Sequence, residues 1–270
     1  MNRIPKEKII DFHAHIYPEK IAEKASESIG KFYNAPMLYH GFPEELIESG
    51  SKVGVVKYVI HSVATKPEQV EAVNDFIIDS CKRHSEFIGF ATHHQDYKDF
   101  DKELDRIQKA GLKGIKMHPD FQKFQVDMAQ MDNFYTSLEE RNFPILLHAG
   151  DCRFDFSGSL RLSRVLNKHP KLKIIAAHFG GYTDWENSLK YLAKRNIWFD
   201  TSSSLWKLPL DKANEIIRVH GADKFLFGSD FPMWNHEGEL ERFNKLCFTK
   251  EERSAVLYNN AVKLLDLKNL

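Results

Sequence analysis

The sequence predicts an α/β fold, a single (β/α)8 barrel of the TIM type with a long first βα connection. Three observations predict it. Eight short apolar, β-branched runs recur along the 270 residues with helical segments between them. Several runs are nearly continuous in apolar residues, as suits strands covered by helices on one face and packed on the other. No GxxxxGK[ST], GxGxxG or GxSxG sequence occurs, which removes the nucleotide fingerprint that a doubly wound open sheet usually carries. No repeat, low-complexity tract or Gly/Ser-rich linker divides the chain, so residues 1–270 are read as one domain.

In chain order the predicted strands are Lys8–His13, Val55–His61, Phe87–Thr92, Leu112–His118, Phe143–His148, Leu172–His178, Asn196–Thr201 and Lys224–Asp230. The first connection, Ala14–Gly54, carries two helical pieces, Glu19–Gly30 and Pro43–Gly50, joined by Phe32-Tyr33-Asn34-Ala35-Pro36. A connection of that length in a compact domain predicts a lid or pocket wall. Val70, Val73, Ile77 and Cys81 form a helical stripe, as do Phe100, Leu104 and Ile107, and Trp185, Leu189 and Leu192. Thr65-x-x-Glu68, Thr183-x-x-Glu186 and Thr249-x-x-Glu252 fit the capping box, in which hydroxyl and carboxylate satisfy orphan helix N–H groups.

Composition limits the function. The 38 basic and 38 acidic side chains cancel, so no global field attracts nucleic acid or an anionic membrane. Cys81, Cys152 and Cys247 are too scattered for a disulfide framework or a cysteine zinc site. Met1–Lys8 is short and charged and no apolar stretch reaches the length of a membrane span, so the cytoplasm is the expected compartment.

Histidine is abundant, at 13 residues. Eight fall at or within two residues of a strand's C-terminal end: His13, His15, His61, His93, His94, His118, His148 and His178. Asp230 holds the same place on the last strand, and barrel active sites form at that rim. Residues i and i+2 of a strand share a face, so His13 and His15 both point into the mouth. Imidazoles and a carboxylate gathered from several strand ends form the N/O donor set of a catalytic metal site with an open position. Lys116 and His118 alternate in register and both face inward, with Lys116 one layer deeper and expected to pair with Asp11. His40, His84, His169 and His220 are expected on the surface, and His236 is expected to reach the mouth. Arg153, beside Asp155, offers a guanidinium that can clamp a carboxylate, or a surface ion pair. Trp206 and Trp234, on rim loops, offer apolar walls.

The ordered set Asp11-Phe-His13-Ala-His15 with Tyr17-Pro18, Gly114-Ile-Lys116-Met-His118-Pro119, Leu147-His148-Ala-Gly150, Ala177-His178-Phe-Gly180-Gly181 and Phe227-Gly228-Ser-Asp230-Phe-Pro232 resembles the amidohydrolase superfamily nearly end to end. Within it, the chain is most similar to the amidohydrolase-2 branch. That branch includes uncharacterised hydrolases, lactonases and decarboxylases related to aminocarboxymuconate semialdehyde decarboxylase. The resemblance implies that His13, His15, His148 and Asp230 bind one divalent ion, usually Zn2+, while His178 faces the substrate. It also leaves open a second ion held by a carboxylated Lys116, and a homodimer.

The function expected on this basis is metal-dependent hydrolysis of an amide, lactone or ester of a small molecule. Asp230 would move the proton of an activated water, and His178 would stabilise charge on the attacked oxygen. His118, Lys116, Arg153, Trp206 and Trp234 would contact the substrate. Two alternatives stand beside it: a metal-dependent non-oxidative decarboxylase of a small carboxylic acid, and a metal-binding barrel without catalysis.

Overall fold

The eight apolar runs form eight parallel strands, each hydrogen-bonded to the next in chain order. A computed structural model describes residues 7–268. Its strands are β1 (Ile9–His15), β2 (Val55–His61), β3 (Phe87–Thr92), β4 (Gly114–Met117), β5 (Ile145–Leu147), β6 (Ile174–Ala176), β7 (Trp198–Asp200) and β8 (Phe225–Leu226). The first connection carries α1 (Glu19–Tyr33) and α2 (Pro43–Ser51), and α3 (Val70–Arg83) and α4 (Phe100–Lys109) follow β2 and β3. After β4 come α5 (Pro119–Gln122) and α6 (Asp132–Glu140), then α7 (Ser159–Lys168), α8 (Trp185–Tyr191) and α9 (Leu210–His220) after the next three strands. The chain continues through α10 (His236–Phe243), α11 (Lys250–Ser254) and α12 (Asn260–Leu265). The predicted barrel and its long first connection are therefore present. The charged N-terminal stretch lies outside the described residues as far as residue 6. Among the described residues, no helix is long and apolar enough to cross a membrane.

The barrel closes where β8 returns to β1. Phe12 N donates to Phe227 O at 2.8 Å, Asp230 N to His13 O at 2.8 Å and His15 N to Phe231 O at 2.7 Å. Gly228 permits this approach, since a Cβ there would stand 2.8 Å from the Cβ of His13. Inside, Ile10, Phe12, Val59, Phe90, Leu146, Ile175 and Leu226 form one buried cluster, and Ala261, Leu264 and Leu265 of the C-terminal helix join it. Phe12 meets Phe90 edge to face at 5.6 Å. Outside, Ile60, Ile77, Leu104, Leu147 and Phe199 belong to the larger layer between strands and helices.

Two departures from strict alternation aim side chains at the mouth. Ile10 and Phe12 face inward, yet so do His13 and His15, because the β1–β2 register shifts between Asp11 and Ala14. Just past β6, inward-facing Ala177 is followed by His178 at φ 61°, a left-handed conformation that turns this ring inward as well. Asp230 also has a positive φ, of 59°. Such backbone costs about 1–3 kcal/mol per residue, and the surrounding packing must hold it in place.

The structure corrects several local expectations. The first turn of the α3 region is a 3₁₀ helix (Pro67–Gln69), which moves the cap by one residue. Gln69 Oε1, rather than Glu68, accepts from Thr65 N and Lys66 N. Thr183 does not cap α8: it sits at φ 59°, its hydroxyl accepts from Cys152 N, and Asp184 begins the helix. Thr249 and Glu252 do form the expected box. His169 and His220 are buried rather than exposed, because each ring fills an apolar contact and finds a polar partner. His220 stacks on Phe199 with its Nε2 at Ile197 O, and His169 packs on Tyr135 beside Asp132.

Phe12→Ala is expected to lower the unfolding free energy by about 3–5 kcal/mol, the usual cost of emptying a fully buried aromatic site. Denaturant titration of the two proteins measures it, and a change under 1 kcal/mol would show that Phe12 is not packed as described.

Candidate active site

The mouth of the barrel holds a cavity of 680 Å³ whose floor includes His13, His15, Lys116, His148, His178 and Asp230. Closure of β8 on β1 brings three donor atoms together. His13 Nε2 lies 3.3 Å from His15 Nε2 and 3.4 Å from Asp230 Oδ1, and His15 Nε2 lies 3.5 Å from the same oxygen. Tetrahedral ligation at bonds of ~2.0–2.1 Å separates donors by ~3.3–3.4 Å, so this triangle fits one divalent ion.

Hydrogen bonds behind the rings set which nitrogen faces the cavity. Asp200 Oδ2 accepts from His13 Nδ1 at 2.8 Å, leaving the Nε2 lone pair directed inward. The Ser202 carbonyl accepts from His178 Nδ1 at 3.0 Å, which makes His178 Nε2 an acceptor. Ser202 Oγ in turn donates to Asp200 Oδ1 at 2.5 Å. His148 stands between two acceptors, with Nδ1 3.1 Å from His178 Nε2 and Nε2 3.1 Å from Asp120 Oδ2. A neutral ring has one proton for those two sides, so the second side calls for another proton or a cation.

Burial keeps four rings of the site uncharged. It pushes His15 down to about 4 and His178 to about 3, and holds His118 and His61 well below the usual histidine range. Burial also lowers Lys116 to about 8 against the opposing pull of Asp200 and Asp230. Burial by itself would raise Asp230, but the His13, His15 and His178 rings outweigh it and hold the carboxyl well below its ordinary value. Ser203 Oγ donates to Asp230 Oδ2 at 2.5 Å and accepts from Trp234 Nε1 at 2.8 Å.

The expected site residues divide into two groups. His13, His15, Lys116, His118, His148, His178 and Asp230 all line the cavity. His118 stacks on His148 at 4.0 Å, and its Nε2 meets the Tyr33 hydroxyl at 2.8 Å. Lys116 does not pair with Asp11: its Nζ lies 3.1 Å from His13 Nε2. Asp11 is taken up instead by Ser229 and by His236 Nε2 at 2.9 Å, which also keeps His236 away from the mouth.

Arg153, Trp206 and Trp234 are not among the lining residues, which corrects their expected substrate contacts. Arg153 is held by both oxygens of Asp151, donates to Phe32 O at 2.7 Å and lies over the Phe32 ring at 4.6 Å, so it fastens the end of α1. Asp155 pairs with Arg161. Both tryptophans reach the site only through Ser203, Trp206 by its Nε1 bond to Ser203 O. Sequence reasoning missed Asp200, Asp120, Ser202 and Ser203 in these roles. Asp200 ends β7 as Asp230 follows β8, so the strand-end rule that singled out the histidines was the available signal.

Asp200→Asn is expected to weaken divalent-ion binding ~10–100-fold, since the amide can no longer fix the His13 tautomer as the carboxylate does. Calorimetric titration of the metal-free protein with manganese or zinc measures this, and unchanged affinity would remove Asp200 from the site.

The sequence matches the amidohydrolase family over residues 10–267. It is 26% identical over 254 residues to the gamma-resorcylate decarboxylase of Polaromonas sp. strain JS666, covering 74% of this chain and 77% of the relative. Among solved structures, a dihydroxybenzoic acid decarboxylase from Polaromonas sp. JS666 with bound manganese and the inhibitor 2-nitroresorcinol superposes with a TM-score of 0.78. It is 18% identical, with 98% of each chain covered. The 5-carboxyvanillate decarboxylase of Sphingomonas paucimobilis gives a TM-score of 0.74 at 12% identity, covering 97% of this chain and all of the other. At these identities the two structures bear on the fold. The expectation of hydrolysis is corrected by the sequence relatives, which are decarboxylases by name: the resorcylate enzyme and the decarboxylase orsB of Emericella nidulans, 28% identical over 123 residues and covering 37% of this chain. With the match extending across nearly the whole barrel, the chain belongs to the amidohydrolase family.

Proposed function

We propose that this protein is a metal-dependent, non-oxidative decarboxylase of a small phenolic carboxylic acid. The observation that carries the reading is the triangle of His13 Nε2, His15 Nε2 and Asp230 Oδ1 on the floor of the mouth. It is supported by the 26% identity to a resorcylate decarboxylase. In this reading His13, His15, His148 and Asp230 hold one divalent ion. Imidazole and carboxylate donors accept either zinc or manganese, and manganese is the ion in the Polaromonas structure. When bound, the ion would draw the substrate's carboxylate and phenolic oxygens and stabilise negative charge on them.

The chain's own groups do the rest. Cleavage of the ring–carboxyl bond leaves its electron pair on the ring carbon, which must gain one proton as carbon dioxide departs. We assign that transfer to Asp230 acting as a relay: its ionised carboxylate would take the proton from water and hand it to the ring carbon as the carbon–carboxyl bond breaks, its second oxygen being held by Ser203. His178 Nε2, 3.1 Å from His148 Nδ1, accepts a hydrogen bond from that ring when His148 Nε2 serves as a ligand. It thereby orients the His148 ring, in place of the charge-stabilising role expected from the sequence. Lys116, cationic near neutral pH, balances Asp200 and Asp230 beneath the substrate. His118, stacked between Phe121 and His148, offers an aromatic wall.

Carbon dioxide release from 2,6- or 2,4-dihydroxybenzoate by the metal-loaded protein is the direct test, and no release from any of a panel of hydroxybenzoates would refute the assignment. Asp230→Asn is expected to reduce turnover by at least ~10²-fold while the protein stays folded by circular dichroism. Elemental analysis is expected to find one equivalent of metal per chain. Two equivalents would replace the one-ion reading with a binuclear one.

A further inference from the structure

The cavity is larger and more lopsided than a dihydroxybenzoate requires. From the polar floor it extends past Val63, after β2, into a cleft between α1 and α3. On α1 the residues that line it are Ile21, Ala25, Ile29 and Phe32, spaced along one face over three turns. On α3 they are Ala72, Val73 and Phe76, again one helical face. The packed side of α1 is a different one, where Ala22 and Ser26 are buried, and Ile21 remains 51% exposed on the cleft side. Two apolar helix faces thus look at each other across a space continuous with the reaction site. A volume of 680 Å³ lies well within the ~300–1,000 Å³ range of sites for drug-sized ligands.

We infer that the substrate carries an apolar substituent, an alkyl chain of several carbons on the phenolic ring, and that this chain lies between α1 and α3 while the acid group sits on the floor. The inference rests on the decarboxylase reading for the head of the substrate. The argument for a substrate tail is continuity: the same cavity touches His15 and Asp230 at one end and Ile21 and Val73 at the other. The polar lining groups on or just before the two helices are uncharged, Ser28 on α1 and Thr65 and Gln69 before α3, while the cation Lys123 lines the cavity from the end of α5, so a charged tail between α1 and α3 would lose its hydration without gaining an ionic partner from either helix. Arg153 is occupied by Asp151 and stacks behind Phe32 without itself lining the cavity.

The test is a chain-length series on the metal-loaded full chain. Calorimetry gives the affinity of 5-alkylresorcinols, which lack the carboxylate, from methyl to pentyl. Carbon dioxide release is followed in parallel with unsubstituted dihydroxybenzoates and with 6-alkyl-2,4-dihydroxybenzoates. Burial of each added methylene is expected to tighten binding by about fourfold. Ala25→Trp and, independently, Val73→Trp are expected to flatten that slope, each read as the ratio of pentyl to methyl affinity within one protein. A flat or falling slope in the unaltered protein overturns the inference, and it leaves the decarboxylase reading intact if unsubstituted acids still lose carbon dioxide. A steep slope with no carbon dioxide from any acid supports the cleft and sinks the decarboxylase reading instead. A flat slope together with a dimer that Ala25→Trp dissociates would assign the cleft to a second copy of the chain and overturn the proposal.

Discussion

Return of the last strand to the first is the constraint on which the site depends. His13 and Asp230 lie at opposite ends of the sequence, and backbone hydrogen bonds between the two strand ends hold them side by side. Those bonds place Asp230 Oδ1 against both imidazoles of β1 without any demand on side-chain flexibility. An open sheet with the same eight strands would carry the same residues and leave these donors at opposite edges. The left-handed backbone at Asp230 and the register shift in β1 are tolerated because closure and packing on both sides hold them.

Around the floor, negative charge stands behind the rings and the lone pairs face forward. Asp200 stands behind His13, the Ser202 carbonyl behind His178 and Asp120 behind His148. Asp200 and the Ser202 carbonyl fix ring orientations, and Asp120, Asp200 and Asp230 create a local demand for positive charge that Lys116 meets only in part. Zero net charge over the whole chain therefore conceals a polarised interior. The attraction for an ion or an acid is local, and it strengthens where water is excluded.

The wall of the mouth follows a different logic. The first connection is pinned by Arg153, which grips the backbone of Phe32 and stacks on its ring, and by the Tyr33 hydroxyl on His118. These contacts hold α1 over the barrel with one apolar face turned to the cavity. Polar floor and apolar wall therefore form two ends of one cavity.

The sequence by itself determined the barrel, its eight strands and the long first connection, because hydrophobic periodicity is local. It also determined that His13, His15, His148, His178 and Asp230 meet at one end, since strand ends in this fold share a rim. Tertiary structure decided which partners those residues take. Lys116 turns to His13 because Asp11 is already bound by Ser229 and His236, which come from far along the chain. Arg153 fastens a helix instead of a substrate because Asp151 and Phe32 reach it first. Asp120 and the serines after β7 meet rings on other strands, contacts that no spacing along the chain records, whereas Asp200 shares the strand-end position that singled out Asp230. Local patterns encode where a side chain points. Competition among partners distant in sequence decides what it does.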